Sequence, residues 1–258
     1  MSVKIAIANQ KGGVGKTTTT LCLADAMKYC GFKVLIVDMD PQCNTTGEYV
    51  ADTEGIPTIY DVFNEKVEIE ECIIATERGS IVPGDKDLPE IDSKINSRMD
   101  RYMILKKKLA GVDADYDFIL FDTPPTLGTW MINAITAADG CICPILADKY
   151  AIDGLGALLK TIRDAQENTN PDLKIYGVLL NNYNQTKALH KEIWNTLPKI
   201  GKELDFPVFR KPIRTCQEIS KAQAVGRSLF DTAPTSNAAI DYAETLNELL
   251  KKIKRKGR

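Results

Sequence analysis

Apolar residues fall in short unbroken runs separated by longer amphipathic stretches. Val3-Lys4-Ile5-Ala6-Ile7-Ala8 is the first such run, ended by a glycine-rich turn, and Thr17 to Tyr29 then shows helical spacing through Leu21, Ala24 and Met27. Gly31 supplies a stop for that helix, after which Lys33-Val34-Leu35-Ile36-Val37 reads as a second strand. The same signature returns at Phe118-Ile119-Leu120-Phe121, at Gly140-Cys141-Ile142-Cys143-Pro144-Ile145 and at Ile175-Tyr176-Gly177-Val178-Leu179-Leu180. Strands that are apolar throughout and alternate with helices must be covered on both faces. The pattern therefore predicts an α/β fold, a mostly parallel twisted sheet with helices on both faces.

Residues 52 to 100 are less regular, with a Gly-Ile-Pro turn, an acidic segment near Glu65 to Glu77 and Pro83-Gly84, and read as a surface excursion. Arg101 to Ala110 is expected as an amphipathic helix leading into the strand at 118, and a last helix runs from Asn237 to about Lys252 into a basic tail, about 251–258. No repeat or low-complexity linker divides the chain, so residues 1–258 are expected to form one domain, a size within the range of single α/β domains.

Composition excludes several classes. With 44% hydrophobic and 26% charged residues the chain is globular rather than disordered. No run reaches the roughly 18 apolar residues of a bilayer span, and the start leads directly into a strand, so a secreted or integral membrane protein is not expected. Seven cysteines, at 22, 30, 43, 72, 141, 143 and 216, form no C-x-x-C pair and are read as buried thiols in a reducing cytoplasm. The single histidine, His190, has no nucleophile's partner nearby, which argues against Ser-His-Asp or Cys-His chemistry.

The chemistry-bearing segment is Gly12-Gly13-Val14-Gly15-Lys16-Thr17, between a strand and a helix. Glycines let successive N–H groups point at phosphate oxygens and the helix N-terminus adds positive potential. Lys16 can neutralise the β- and γ-phosphates, and the Thr17 hydroxyl suits Mg²⁺. The second strand ends in Val37-Asp38-Met39-Asp40-Pro41-Gln42 and a later one in Phe121-Asp122-Thr123-Pro124-Pro125, placing carboxylates at strand tips beside that loop.

Preceded by Lys11 and followed by Thr18, the loop resembles the deviant phosphate loop of the ParA/MinD superfamily of ATPases, a P-loop NTPase fold. The resemblance covers the chain from Lys4 to about Leu250. Tyr116 to Gly128 and Gly177-Val178-Leu179-Leu180-Asn181-Asn182-Tyr183 are especially similar to ParA (Soj) type partition proteins. It implies ATP and Mg²⁺ as cofactors, with Lys11, Gly12, Gly13, Val14, Gly15, Lys16, Thr17 and Thr18 on the nucleotide. Lys11 would reach the nucleotide of a partner subunit across a homodimer that sandwiches two ATP molecules. Asp40 would orient the attacking water, with Thr17, Asp40 and Asp122 around the metal, while Asp38 serves either the ion's outer shell or the structure alone. Asn181 or Asn182, and more remotely Pro212, would face the adenine. Partition ATPases commonly carry an Arg-Thr pair where this chain has Tyr183-Asn184-Gln185-Thr186-Lys187, so the DNA contacts are less surely placed than the ATP site.

The formal charge of −2 conceals a polarised molecule. Residues 183 to 258 carry 15 Lys and Arg against 8 Asp and Glu, leaving the rest acidic. Lys187, Lys191, Arg210, Lys211, Arg214, Lys221 and Arg227 are the candidate contacts to DNA phosphates, without base reading. The function expected is a cytoplasmic, nucleoid-associated partition ATPase that binds DNA non-specifically as an ATP dimer. A ParB-like centromere-binding protein would stimulate hydrolysis and so release it, and no stable membrane association is expected.

Three alternatives stand beside it. A MinD-like ATPase could position division or other cargo at the membrane through the stripe Leu246, Leu249, Leu250 and Ile253 with its adjacent lysines. A nitrogenase-iron-protein-like reductase would need a cluster pair, which Cys141 and Cys143, read as facing opposite ways, do not supply. A metabolic P-loop synthetase or kinase would use the same loop on a small molecule.

Overall fold

The structure, a computed structural model, describes residues 1–148 and 151–254, without the side chains of residues 151–153. Among these described residues the seven strands are β1 (Val3–Ile7), β2 (Val34–Asp38), β3 (Ile74–Ala75), β4 (Ser80–Val82), β5 (Phe118–Asp122), β6 (Gly140–Leu146) and β7 (Lys174–Asn181). They form one sheet in the order β3-β4-β2-β5-β1-β6-β7, parallel except for β3 against β4. Among the described residues the α-helices are α1 (Lys16–Tyr29), α2 (Asn44–Tyr49), α3 (Ile59–Phe63), α4 (Asp92–Asn96), α5 (Ile104–Lys108), α6 (Thr129–Ala137), α7 (Ala151–Asn168), α8 (Ala188–Glu203), α9 (Gln217–Ala224), α10 (Leu229–Thr232) and α11 (Asn237–Lys254).

The period-two alternation of side chains sorts each strand between two cores. Ile5, Ile7, Ile36, Leu120 and Ile142 pack under α1, α9, α10 and α11, whereas Ala6, Leu35, Ile119, Phe121 and Val178 pack under α3 to α8. Both faces are thus apolar and covered, which is why the strands read as continuous hydrophobic runs.

Cys141 and Cys143 correct one expectation: residues two apart on a strand share a face, and both lie in the same core with Ile142 in the other. Each is fully buried. The cysteines are also not uniformly buried, since Cys30 is exposed and Cys43 and Cys216 are half-buried.

Residues 52 to 100 are not a surface excursion either. Ile59, Val62, Phe63, Ile69, Cys72, Ile81 and Val82 are wholly inaccessible, and β4 pairs in parallel with β2. Its core is pinned by an ion cluster in which Arg78 grips Asp25 of α1 through Nε and Nη2, each at 3.1 Å, and Glu48 of α2 through Nη1 at 3.0 Å.

The apolar stripe on α11 is a core face. Leu246 and Leu249 are buried, and Leu250 and Ile253 pack against the same core. Lys252 lies over the Phe209 ring and donates to the Tyr176 carbonyl at 2.8 Å. Among the described residues no helix is long and apolar enough to cross a membrane. Of the basic tail, residues 255–258 lie outside the described residues.

Candidate nucleotide site

The parallel strands β1, β2 and β5 end side by side, and the loop after β1 runs directly into α1. Gly13 and Gly15 hold φ of +74° and +86°, in the left-handed region that costs a side chain roughly 1–2 kcal/mol. Gly15 caps α1 without any side-chain hydrogen bond, and the first turn carries no acidic residue. The N–H groups of that turn and the positive end of the helix dipole are therefore left for an anion, the arrangement that binds phosphate.

Lys16 is buried at this loop, 7% exposed, its Nζ 3.4 Å from the Lys11 carbonyl. Burial lowers its pKa, opposed by the nearby Asp122 and Asp40 carboxylates. The Lys11 ammonium lies elsewhere, paired with Asp148 at the C-terminal end of β6, both side chains about one-third exposed.

Asp122 stands at the tip of β5 in register with Asp38 at the tip of β2. Its Oδ2 accepts from Thr17 Oγ1 at 2.7 Å and from Thr45 Oγ1 at 2.6 Å, while Oδ1 accepts from Thr20 Oγ1 at 3.3 Å. Asp38 Oδ2 accepts from the Thr46 amide and hydroxyl at 2.9 and 2.7 Å, and Oδ1 from the Asp40 amide at 3.1 Å. Asp40 is 7% exposed and accepts from the Gln42 amide at 3.0 Å. Burial raises the pKa of both Asp38 and Asp122, with Asp122 repelling a charge on Asp38 and Asp40 one on Asp122. Of the two readings of Asp38, the geometry supports the structural one: its carboxylate is occupied by the loop that follows it.

The donor set suits a hard divalent cation that draws most of its ligands from phosphates and water: a hydroxyl at Thr17, with a buried carboxylate behind it. Among the described residues no group of three or more His, Cys, Asp or Glu is arranged to hold a metal by itself.

The three adenine candidates separate. Asn181 is 5% exposed and turns its Nδ2 onto the phosphate loop, donating to the Val14 carbonyl and to Thr19 Oγ1, each at 3.0 Å. Its Oδ1 is buried without a hydrogen-bond partner. Asn182 is exposed in a left-handed conformation, φ +53°, and its carbonyl accepts from Thr215 Oγ1 at 3.1 Å. Pro212 is half-exposed on the segment that runs beside Tyr183, where Tyr183 N donates to the Ile213 carbonyl at 2.8 Å.

The basic candidates divide as well. Lys187, Lys191, Arg210 and Arg227 are exposed and their side chains make no ion pair among the described residues. Arg214 is committed to Asp241, Nη2 to Oδ1 at 2.7 Å and Nε to Oδ2 at 2.8 Å, and that carboxylate is only 3% exposed. Lys211 pairs with Glu244, and Lys221 with Glu218 at 3.4 Å. Arg214 is therefore a structural cation rather than a free phosphate contact, a pairing across 27 residues that local charge counting does not reveal. Thr45, Thr46 and Asp148 entered the site unforeseen. Asp148 alone carried a signal, its place just beyond a strand's C-terminal end.

A mostly parallel sheet, a left-handed glycine loop opening a helix, a buried lysine and a Thr-Asp pair at the neighbouring strand tip define a P-loop nucleoside triphosphatase. A profile described as an AAA domain matches residues 2–175. The sporulation initiation inhibitor protein Soj of Bacillus subtilis (strain 168) is 35% identical over 95% of this chain and 97% of its own. Among solved structures, cobyrinic acid a,c-diamide synthase from Mycobacterium smegmatis, with bound ATP analog and magnesium, superposes with a TM-score of 0.86 at 32% identity, covering 100% of this chain and 98% of that one. A putative plasmid partition protein from Borrelia burgdorferi bound to AMPPNP gives a TM-score of 0.82 at 25% identity, covering 98% and 100%. The chain belongs to the ParA/MinD superfamily of ATPases, with the ParA/Soj partition proteins. It is an ATPase that uses ATP and Mg²⁺.

Proposed function

We propose that this partition ATPase, a single domain over residues 1–258, dimerises on ATP, grips DNA without reading sequence, and lets go on hydrolysis stimulated by a ParB-like centromere-binding protein. The observation that carries the reading is the division of labour between two lysines. Lys16 fills the chain's own phosphate loop, whereas Lys11 pairs with Asp148, an aspartate about one-third exposed. An ion pair so exposed contributes about 0–1 kcal/mol, so a second subunit's nucleotide can take Lys11 from Asp148 at small cost.

In this reading residues 12–18 cradle the phosphates with their N–H groups, Lys16 neutralises them, and Thr17 and Asp122 hold Mg²⁺, which supplies charge neutralisation at the phosphates. Asp40 accepts a hydrogen bond from the attacking water and aligns it. Asn181 fixes the loop from beneath, leaving Asn182 and the Pro212 segment as the rim for the base.

DNA binding falls to Lys187, Lys191, Arg210 and Arg227, doubled by dimerisation, with Lys211 and Lys221 available once their exposed partners are released. Each phosphate contact contributes about 0.9 to the salt exponent, so halving them on dimer dissociation weakens binding by orders of magnitude at physiological salt. The ATP form is accordingly placed on the nucleoid.

The test is DNA affinity with ATP, with ADP and without nucleotide across a salt series. Tighter binding and a steeper salt slope with ATP are expected; equal affinity in all three states would sink the switch. ATP turnover indifferent to both DNA and a ParB-like protein would instead favour small-molecule chemistry of the kind named for the mycobacterial neighbour.

A further inference from the structure

The residues flanking Asp40 are fastened more heavily than a surface loop requires. The loop leaves β2 at Asp38 and ends at the first turn of α2, where Thr45 is wholly buried and Thr46 is 4% exposed. These adjacent threonines engage different carboxylates. Thr45 donates to Asp122 Oδ2, the same oxygen that receives Thr17, and Thr46 donates to Asp38 Oδ2. Thr46 Oγ1 also accepts from the Gly84 amide at 2.8 Å, so its hydroxyl closes a chain from β2 through the loop to the segment after β4. The far end of α2 is held by Glu48 on Arg78. Between these fixed ends, Asp38 Oδ1 takes the Asp40 amide, and Asp40 turns its own carboxylate onto Gln42 N–H.

Resting on the reading that Asp40 aligns the attacking water, we propose that Thr45 and Thr46 are positioning residues for hydrolysis: they clasp the Asp40 loop to the tips of β2 and β5. Because Thr17 and Thr45 share one oxygen of Asp122, the hydroxyl assigned to the metal and the loop carrying Asp40 are referenced to the same point. An in-line attack tolerates little displacement of the group that aligns the water, and a misplacement of about 1 Å costs on the order of a hundredfold in rate. Neither threonine faces the phosphate loop's N–H groups, so losing one should reach hydrolysis before it reaches nucleotide binding.

Valine preserves shape and removes the hydroxyl. Thr45→Val and Thr46→Val are compared with Thr45→Ser, Thr46→Ser and Asp40→Ala, measuring kcat with Mg²⁺ and ATP, the ATP dissociation constant by displacement of a fluorescent ATP analogue, and the melting temperature. Each valine variant is expected to lose at least tenfold in kcat with ATP affinity within threefold of wild type, and each serine variant to recover kcat to within threefold. The proposal is overturned if both valine variants hydrolyse within threefold of wild type while Asp40→Ala is inactive, or if ATP affinity falls in parallel with kcat. Should Thr46→Val not fold, because the Gly84 amide is then unpaired, Thr45→Val decides alone. Normal hydrolysis by Asp40→Ala would remove the underlying assignment instead, and is read separately.

Discussion

Asn181→Ala separates two roles that one asparagine could play. In the structure its amide nitrogen makes two buried hydrogen bonds, to the Val14 carbonyl and to Thr19 Oγ1, tying β7 to the phosphate loop and to the first turn of α1. At about 1 kcal/mol for each bond, truncation removes about 2 kcal/mol of support. Spread over a domain of this size, that lowers the melting temperature of the nucleotide-free protein by about 4 to 8 °C. If part of the loss appears as a loop that must be ordered by its ligand, nucleotide affinity falls by at most about 30-fold. Because the amide touches loop rather than base, ATP and GTP must weaken together. The assay is thermal unfolding without nucleotide, followed by dissociation constants for both nucleotides. An unchanged melting temperature with a collapsed ATP-to-GTP ratio would put the amide on the base and refute its role as a loop anchor.

Four further outcomes follow from particular contacts. Arg78→Leu leaves Asp25, 1% exposed on its side chain, as a buried unpaired carboxylate and should cost about 3–5 kcal/mol in urea denaturation, with Arg78→Leu combined with Asp25→Leu recovering much of it. Arg214→Ala should destabilise by about 2 kcal/mol through orphaned Asp241, whereas Lys187→Ala with Lys191→Ala should leave the melting temperature unchanged and reduce the DNA salt slope by about 2 per subunit; the reverse pattern would reassign both. For Asp38, a folded-state pKa raised above the unfolded one means that its favourable contribution is complete below the ordinary carboxylate range near pH 4 and is lost as pH rises toward neutrality. Asp38→Asn should therefore flatten that part of the stability profile of the nucleotide-free protein, and parallel curves for the two proteins would contradict it. Gly12 has nothing within 4 Å of where a Cβ would sit, so Gly12→Val should fold and bind ATP as a monomer yet fail to dimerise; normal ATP-dependent dimerisation would speak against an interface there.

The five longest strands were legible to within about a residue at either end because each is apolar on both faces and is flanked by turn chemistry. The phosphate loop was equally plain, since its glycines and Lys16-Thr17 act where they stand in the chain. What escaped was built from short elements or distant partners. β3 and β4, of two and three residues, are too brief for a period to show, so the segment from Ile59 to Val82, with seven buried apolar side chains among exposed charged ones, read as surface. Thr45 carries no chemical signature until Asp122, 77 residues away, comes to meet it, and Thr46 none until the loop folds it back onto Asp38. Asn181 stands at the strand end that the sequence predicts, but its side-chain direction depends on where the phosphate loop and Thr19 of α1 pack. The charge asymmetry was real in composition, yet Lys211 and Arg214 are neutralised across the fold by α11 carboxylates and Lys221 by Glu218 one turn away on α9.

In the proposed switch Lys11 works across a nucleotide-bound dimer. Sedimentation velocity of Asp40→Ala with ATP and Mg²⁺, alongside the same protein carrying Lys11→Ala, tests it most directly. Asp40→Ala is expected to be a dimer with ATP and a monomer with ADP, and a monomer in both cases once Lys11 is gone. A monomer in every state, or a dimer that persists without Lys11, would contradict it.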